Sequence, residues 1–129
     1  MGKQALKGIR IADFSWIWAG PYAGTLLSFL GAEVIKIESR VRIDQTRKGT
    51  MMDTDNFDGL NYSPTFNNAN LNKLGLSLDI KTAEGAELAK KIVSQCDVVI
   101  ANMRPGKMEK LGLGYEDFKK VKPDIIMVE

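Results

Sequence analysis

Short runs of β-branched and aromatic residues alternate along this chain with longer stretches of helical periodicity. Residues 8–14 open on Gly8, continue through Ile9, Ile11 and Phe14, and predict a first strand. After a loop over residues 15–20, Pro21 suits the first position of a helix. Residues 22–30 are apolar on nearly every face until Gly31 offers a stop, which predicts a well-buried helix. Residues 33–38 read as a second strand and complete a βαβ unit. Residues 39–71 lack periodicity, and a loop of that length in a compact domain is functional or disordered. Residues 74–79 alternate as a strand. Thr82 then caps a helix running to about Gln95, with Leu88, Ala89, Ile92 and Val93 as its apolar stripe and Glu87 and Lys91 as a solvent-side pair. Residues 97–101 form another strand, residues 107–111 and 116–121 two short helical turns, and residues 125–128 a last strand. Regular alternation of this kind calls for an α/β fold, a mostly parallel sheet with helices on its faces.

In open parallel sheets ligands gather in the loops beyond the carboxyl ends of the strands, and the last strand here runs straight into Glu129. The expectation is therefore the front part of a larger enzyme. A small complete domain with its last strand at a sheet edge is the alternative.

With 129 residues the chain suits one folding unit, residues 1–129, and its 44% hydrophobic and 26% charged content is that of a globular protein. A net charge of +2 argues against a protein that coats nucleic acid. No apolar run reaches the roughly 20 residues of a membrane span. The opening residues lack the apolar core of a secretory signal, and a single cysteine, Cys96, allows no internal disulfide, so the cytoplasm is expected. The absence of histidine removes the usual base for a Ser or Cys nucleophile and the commonest zinc ligand.

Few motifs carry chemistry. Ala19-Gly20-Pro21 lies between strand and helix, where free amides favour an anion, although a plain tight turn accounts for it equally. Glu38 stands where dinucleotide-binding folds keep a ribose-binding acid, yet Gly20-Pro-Tyr-Ala-Gly24 is not the glycine fingerprint of that fold. Trp16 or Trp18 offers a stacking surface, with packing into the core as the other use. The acidic run Asp53–Gly59 fails as a calcium loop, because Phe57, Asp58 and Pro64 occupy positions that need a ligand, glycine and glutamate. Basic residues fall into three groups: Arg40, Arg42, Arg47 and Lys48; Lys73; and Arg104, Lys107 and Lys110. In a parallel sheet the first and last groups begin at carboxyl ends of strands and can converge on one polyanion, whereas each alone reads as a solvated surface charge.

Residues 6–14, Ala19-Gly-Pro21 and residues 30–38 together resemble the opening of class III CoA-transferases, the family of formyl-CoA and carnitine CoA-transferases. Asn72-Lys73, residues 76–79, residues 97–100, Asn102-Met-Arg-Pro-Gly106 and Leu111-Gly-Leu-Gly-Tyr115 extend the resemblance over nearly the whole chain. It implies a Rossmann-like domain that is one part of a larger, interlaced homodimeric enzyme. CoA or acyl-CoA would be a substrate beside a small carboxylic acid, with no tightly bound cofactor. By position, Ile17 and Trp18 would lie along CoA, and Ser39 or Arg40 would face its adenosine end. Lys73, beside Asn72, would meet its phosphates, and Asn102, Met103, Arg104 and Lys110 would complete the contacts. Ser39 and Lys110 replace arginines common in the family, Ala101 a glutamate and Met103 a phenylalanine. The family's nucleophile, an aspartate that forms a mixed anhydride and then an aspartyl-CoA thioester, matches no residue here. An α-methylacyl-CoA racemase of the same family, or a non-catalytic CoA-binding module, are the other functions the resemblance and the fold allow.

Overall fold

The structure, a computed structural model, describes residues 4–48 and 60–129. The acidic run at residues 53–59 lies outside them. Five strands form one sheet: β1 (Arg10–Asp13), β2 (Glu33–Glu38), β3 (Leu74–Ser77), β4 (Val98–Ile100) and β5 (Ile126–Val128). Their order is β3-β2-β1-β4-β5, and all four pairings are parallel, as the alternation of strand and helix demands.

The two faces of the sheet differ in chemistry. One carries Ala12, Phe14, Ile37 and Val99 against the helices α3 (Ala83–Val93), α4 (Lys107–Lys110) and α5 (Tyr115–Val121), which contribute Ala89, Val93, Met108 and Phe118. The Phe14 and Phe118 rings stack with centroids 6.1 Å apart. This is the main core. The opposite face, covered by α1 (Ala19–Phe29), holds a smaller apolar cluster of Ile11, Ala32, Val34 and Ile100. Beside it, on the same face by the two-residue period of the strands, are the buried Asp13 and Lys36, which are paired in register across β1 and β2.

Helix α1 departs from expectation in two ways. It begins at Ala19, so Pro21 occupies its third position, where the proline's missing N–H still falls among the unpaired amides of the first turn. It also turns its small and polar residues inward. Pro21, Gly24, Thr25 and Ser28 are buried, while Tyr22, Leu26 and Phe29 are exposed. The inner face is polar because it packs on polar groups: Thr25 Oγ1 donates to the Ala69 carbonyl (2.7 Å), and Ser28 Oγ to that of Thr25 (2.7 Å).

The stretch expected to be a loop contains a 3-10 turn (Gln45–Lys48) and the helix α2 (Pro64–Ala69). Ser63 caps α2 by accepting from the Phe66 amide, and Pro64 follows at the first helical position. In α3 the Thr82 cap is found as expected, with its hydroxyl accepting from Gly85 N (3.0 Å). Leu88, however, is exposed, and Glu87 pairs with Lys90 (2.8 Å) instead of Lys91, an i,i+3 contact on the same surface.

Cys96 sits with no exposed surface at the end of α3, its Sγ 3.3 Å from the Ile92 carbonyl, and burial pushes its thiol up from 9.0 to about 11. Burial thus favours the neutral thiol, and this stabilisation is fully present below pH 9.0 and lost as pH rises through about 11. The folded protein is expected to resist a thiol-reactive dye at pH 8 and to react fully once denaturant unfolds it. Time-resolved labelling checks this, and rapid modification of native protein would contradict it.

Candidate functional site

Beyond β1 the chain turns through Phe14, Ser15, Trp16 and Ile17 before entering α1, and three successive amides of this loop are held by side chains from three places. Ser15 N donates to Asp13 Oδ1 (2.9 Å). Trp16 N donates to Asn102 Oδ1 (2.7 Å) while Asn102 Nδ2 donates back to the Trp16 carbonyl (2.7 Å). Ile17 N donates to both oxygens of Asp44 (3.0 and 3.2 Å). These three amides are all taken up by protein acceptors. Ile17 has φ 71°, left-handed backbone that a β-branched residue adopts only under constraint.

Four buried charges lie beside this loop and the start of α1. Lys73 Nζ reaches Asp13 Oδ2 (2.8 Å), the Pro21 carbonyl (2.6 Å) and Asn70 Oδ1 (3.0 Å). Lys36 Nζ donates to the Ser15 carbonyl and lies 3.5 Å from Asp44 Oδ2. Asp44 also accepts from Thr46 N (3.0 Å) and Thr46 Oγ1 (2.8 Å). Burial lowers the Lys73 ammonium below the ordinary lysine value, and Asp13 opposes that shift. Gly24 makes room for the pair, since a Cβ there would approach Asp13 Oδ2 to 3.1 Å and Lys73 Nζ to 3.2 Å.

A cleft of about 530 Å³ opens at the carboxyl edge of the sheet, beyond β1, β2, β3 and β4, where the strand order switches direction from β1. Of the residues expected from sequence, Ile17, Ser39, Asn102, Met103 and Arg104 line it. Trp16, one of the two candidate stacking surfaces, and Arg42 and Lys107, from the two basic groups expected to converge on a polyanion, line it too, with the Arg42 guanidinium 5.5 Å from the Trp16 ring. Leu78, within the matched residues 76–79, and Ile80, which no motif marked, follow β3 and add apolar wall. Apolar walls with a few convergent cations suit an amphipathic anion.

The other expected contacts lie elsewhere. Trp18 points outward and stacks on Tyr22 with centroids 5.8 Å apart. Arg40 and Lys73 line a second hollow of about 450 Å³, in which Lys73 is engaged as described. Asn72 has φ 59° and donates from Nδ2 to the Ser28 carbonyl (3.1 Å). Lys110 is exposed on α4 and lines neither hollow. Glu38 accepts from Asp44 N (2.8 Å) and from Arg47 Nε (2.8 and 3.0 Å), so the carboxylate considered for a ribose contact is occupied by protein donors. Among the described residues no cluster of His, Cys, Asp and Glu could hold a metal ion, and no helix is long and apolar enough to cross a membrane.

The chain belongs to CoA-transferase family III, whose model matches residues 6–129. It is 36% identical over 124 residues to the formyl-CoA:oxalate CoA-transferase of Afipia carboxidovorans, covering 96% of this chain and 28% of that protein. It is 39% identical over 125 residues to the succinyl-CoA:glutarate CoA-transferase of Mus musculus, covering 95% and 27%. A CAIB/BAIF family protein from Brucella suis superposes with a TM-score of 0.83 at 34% identity, over 98% of this chain and 33% of that one. The chain thus spans about a third or less of the length of these relatives.

The buried Asp13–Lys73 pair gives a direct test. Lys73→Ala leaves Asp13 buried without its cation and is expected to cost about 3–5 kcal/mol of stability. Denaturant unfolding checks this, and a loss below about 1 kcal/mol, the range of a surface pair, would show that the contact is not structural.

Proposed function

We propose that this chain supplies the CoA-binding part of an acyl-CoA:carboxylate CoA-transferase. The observation that carries this reading is the gathering of Ile17, Ser39, Asn102, Met103 and Arg104 around one cleft at the carboxyl edge of the sheet. In this reading Arg42, Arg104 and Lys107 pair with CoA phosphates, and Trp16, Leu78 and Ile80 provide apolar surface for its adenine or pantetheine. The names of the relatives support the reaction class, since each pairs an acyl-CoA with a carboxylate.

The full-length enzyme, on this proposal, uses an aspartate outside residues 1–129. Its carboxylate attacks the thioester carbonyl, CoA leaves as a thiolate, and an acyl-aspartyl anhydride forms. Thiolate attack on the aspartyl carbonyl then releases the donor acid and leaves an aspartyl-CoA thioester. The acceptor carboxylate attacks this thioester to form a new anhydride, from which CoA carries away the new acyl group and frees the aspartate. CoA is a substrate throughout, and the enzyme works as a cytoplasmic homodimer.

Loss of one charge-assisted phosphate contact removes about 1.5–3 kcal/mol, or roughly a 10- to 100-fold change in affinity. Arg104→Glu and Arg42→Glu are each expected to weaken CoA binding by at least that much in calorimetric titration, and unchanged affinity in both would remove CoA from this cleft. Hydroxylamine treatment of the full-length enzyme incubated with acyl-CoA is expected to trap the aspartyl-CoA thioester as a hydroxamate. Exchange of an α-hydrogen without such trapping would indicate racemase chemistry instead.

A further inference from the structure

Ile17 stands in the cleft wall on a backbone that its own side chain disfavours, so something else in the fold must hold it there. Ser15 N and Trp16 N are engaged by Asp13 and Asn102, the Trp18 carbonyl accepts from Tyr22 N, and the Ile17 amide itself is held by the carboxylate of Asp44 (3.0 and 3.2 Å). Asp44 has no exposed surface and lines neither hollow, so it does not itself touch a ligand in the cleft. Its own position is fixed from three sides. Its backbone amide donates to Glu38 at the end of β2, its Oδ1 receives both donors of Thr46, and its Oδ2 faces Lys36 Nζ at 3.5 Å.

We infer that Asp44 is a positioning residue for CoA recognition: it holds Ile17 in the left-handed conformation that sets the shape of the cleft wall. This rests on the proposed function for the identity of the ligand, but not for the effect on the loop. The chemistry explains the choice of side chain. A carboxylate accepts from several donors at once, and four converge on this one: Ile17 N, Thr46 N, Thr46 Oγ1 and Lys36 Nζ. Lys36 in turn donates to the Ser15 carbonyl, so the segment from Ser15 to Ile17 is tied at both ends to one buried pair.

The test separates action through Ile17 from a general contribution to folding. CoA titration of the full-length protein is run on Asp44→Ala, Ile17→Gly and the double variant, because glycine adopts φ > 0 without a carboxylate to hold it. Asp44→Ala is expected to weaken CoA binding about tenfold in the parent background and no more than about twofold in the Ile17→Gly background. Equal losses in both backgrounds would overturn the inference. Should Asp44→Ala not fold, Asp44→Leu combined with Lys36→Met removes both buried charges together, and the same dependence on Ile17→Gly is expected. Amide hydrogen exchange gives a readout free of CoA. The Ile17 amide is expected to exchange at least about tenfold faster in the Asp44 variant while β1 and β4 amides keep their rates. Unchanged Ile17 protection would overturn the positioning role. Faster Ile17 exchange in a protein that binds no CoA would instead refute the proposed function and leave the positioning role standing.

Discussion

Asp13, Lys36, Asp44 and Lys73 are buried together on one face of the sheet, and most of the local architecture follows from the need to satisfy them. A charge removed from water is costly unless an opposite charge and hydrogen bonds replace the lost solvent, and these four are arranged as two pairs bridged by the backbone of Ser15. Among the described residues every deeply buried side-chain polar atom has a partner. Satisfying these charges restricts the helix above them. Large apolar side chains on the inner face of α1 would displace the donors and acceptors, so glycine, proline, threonine and serine occupy it and the bulky residues face outward.

That arrangement decides what the sequence could reveal. Strands β1, β2, β4 and β5 were legible because β-branched runs bounded by turns have few alternatives, β3 was legible from its alternation, and the parallel topology followed from alternation with helices. Helix α1 was legible in existence and not in orientation. A run apolar on nearly every face implies burial only if the surface beneath is apolar, and Asp13 and Lys36 sit in short strands whose other residues gave no sign of a polar layer. Helix α2 is too short for periodicity to show, although Ser63-Pro64 is a cap followed by a first-position proline and could have marked it.

The lining of the candidate cleft was legible in part, and for a different reason. No spacing in the sequence joins Ile17, Ser39 and Arg104; they meet because parallel strands place the loops after β1, β2 and β4 at one edge. Grouping basic residues by the strand they follow did find Arg42, Arg104 and Lys107. It could not separate Arg42 from Arg47, whose guanidinium is turned onto Glu38 and lies 3.5 Å from the Phe66 ring. Lys73, read as a phosphate contact, has an ammonium already surrounded by three protein acceptors. Charge in a sequence does not say whether its counter-charge is a ligand or the protein itself.

Asn102 grips the Trp16 peptide by both its N–H and its carbonyl, as a neighbouring strand would grip it. In effect the side chain is a surrogate backbone, adding one more rung between the β1 and β4 segments after their main chains have parted to open the cleft. A rung of this kind needs a donor and an acceptor side by side on one planar group, as the carboxamides of asparagine and glutamine carry them. Aspartate in its place would set a second acceptor against the Trp16 carbonyl, and glutamine would hold its amide one methylene too far out. The two loops at the mouth of the cleft are therefore tied together by a pairing rule that belongs to β-sheets, enforced by a single side chain.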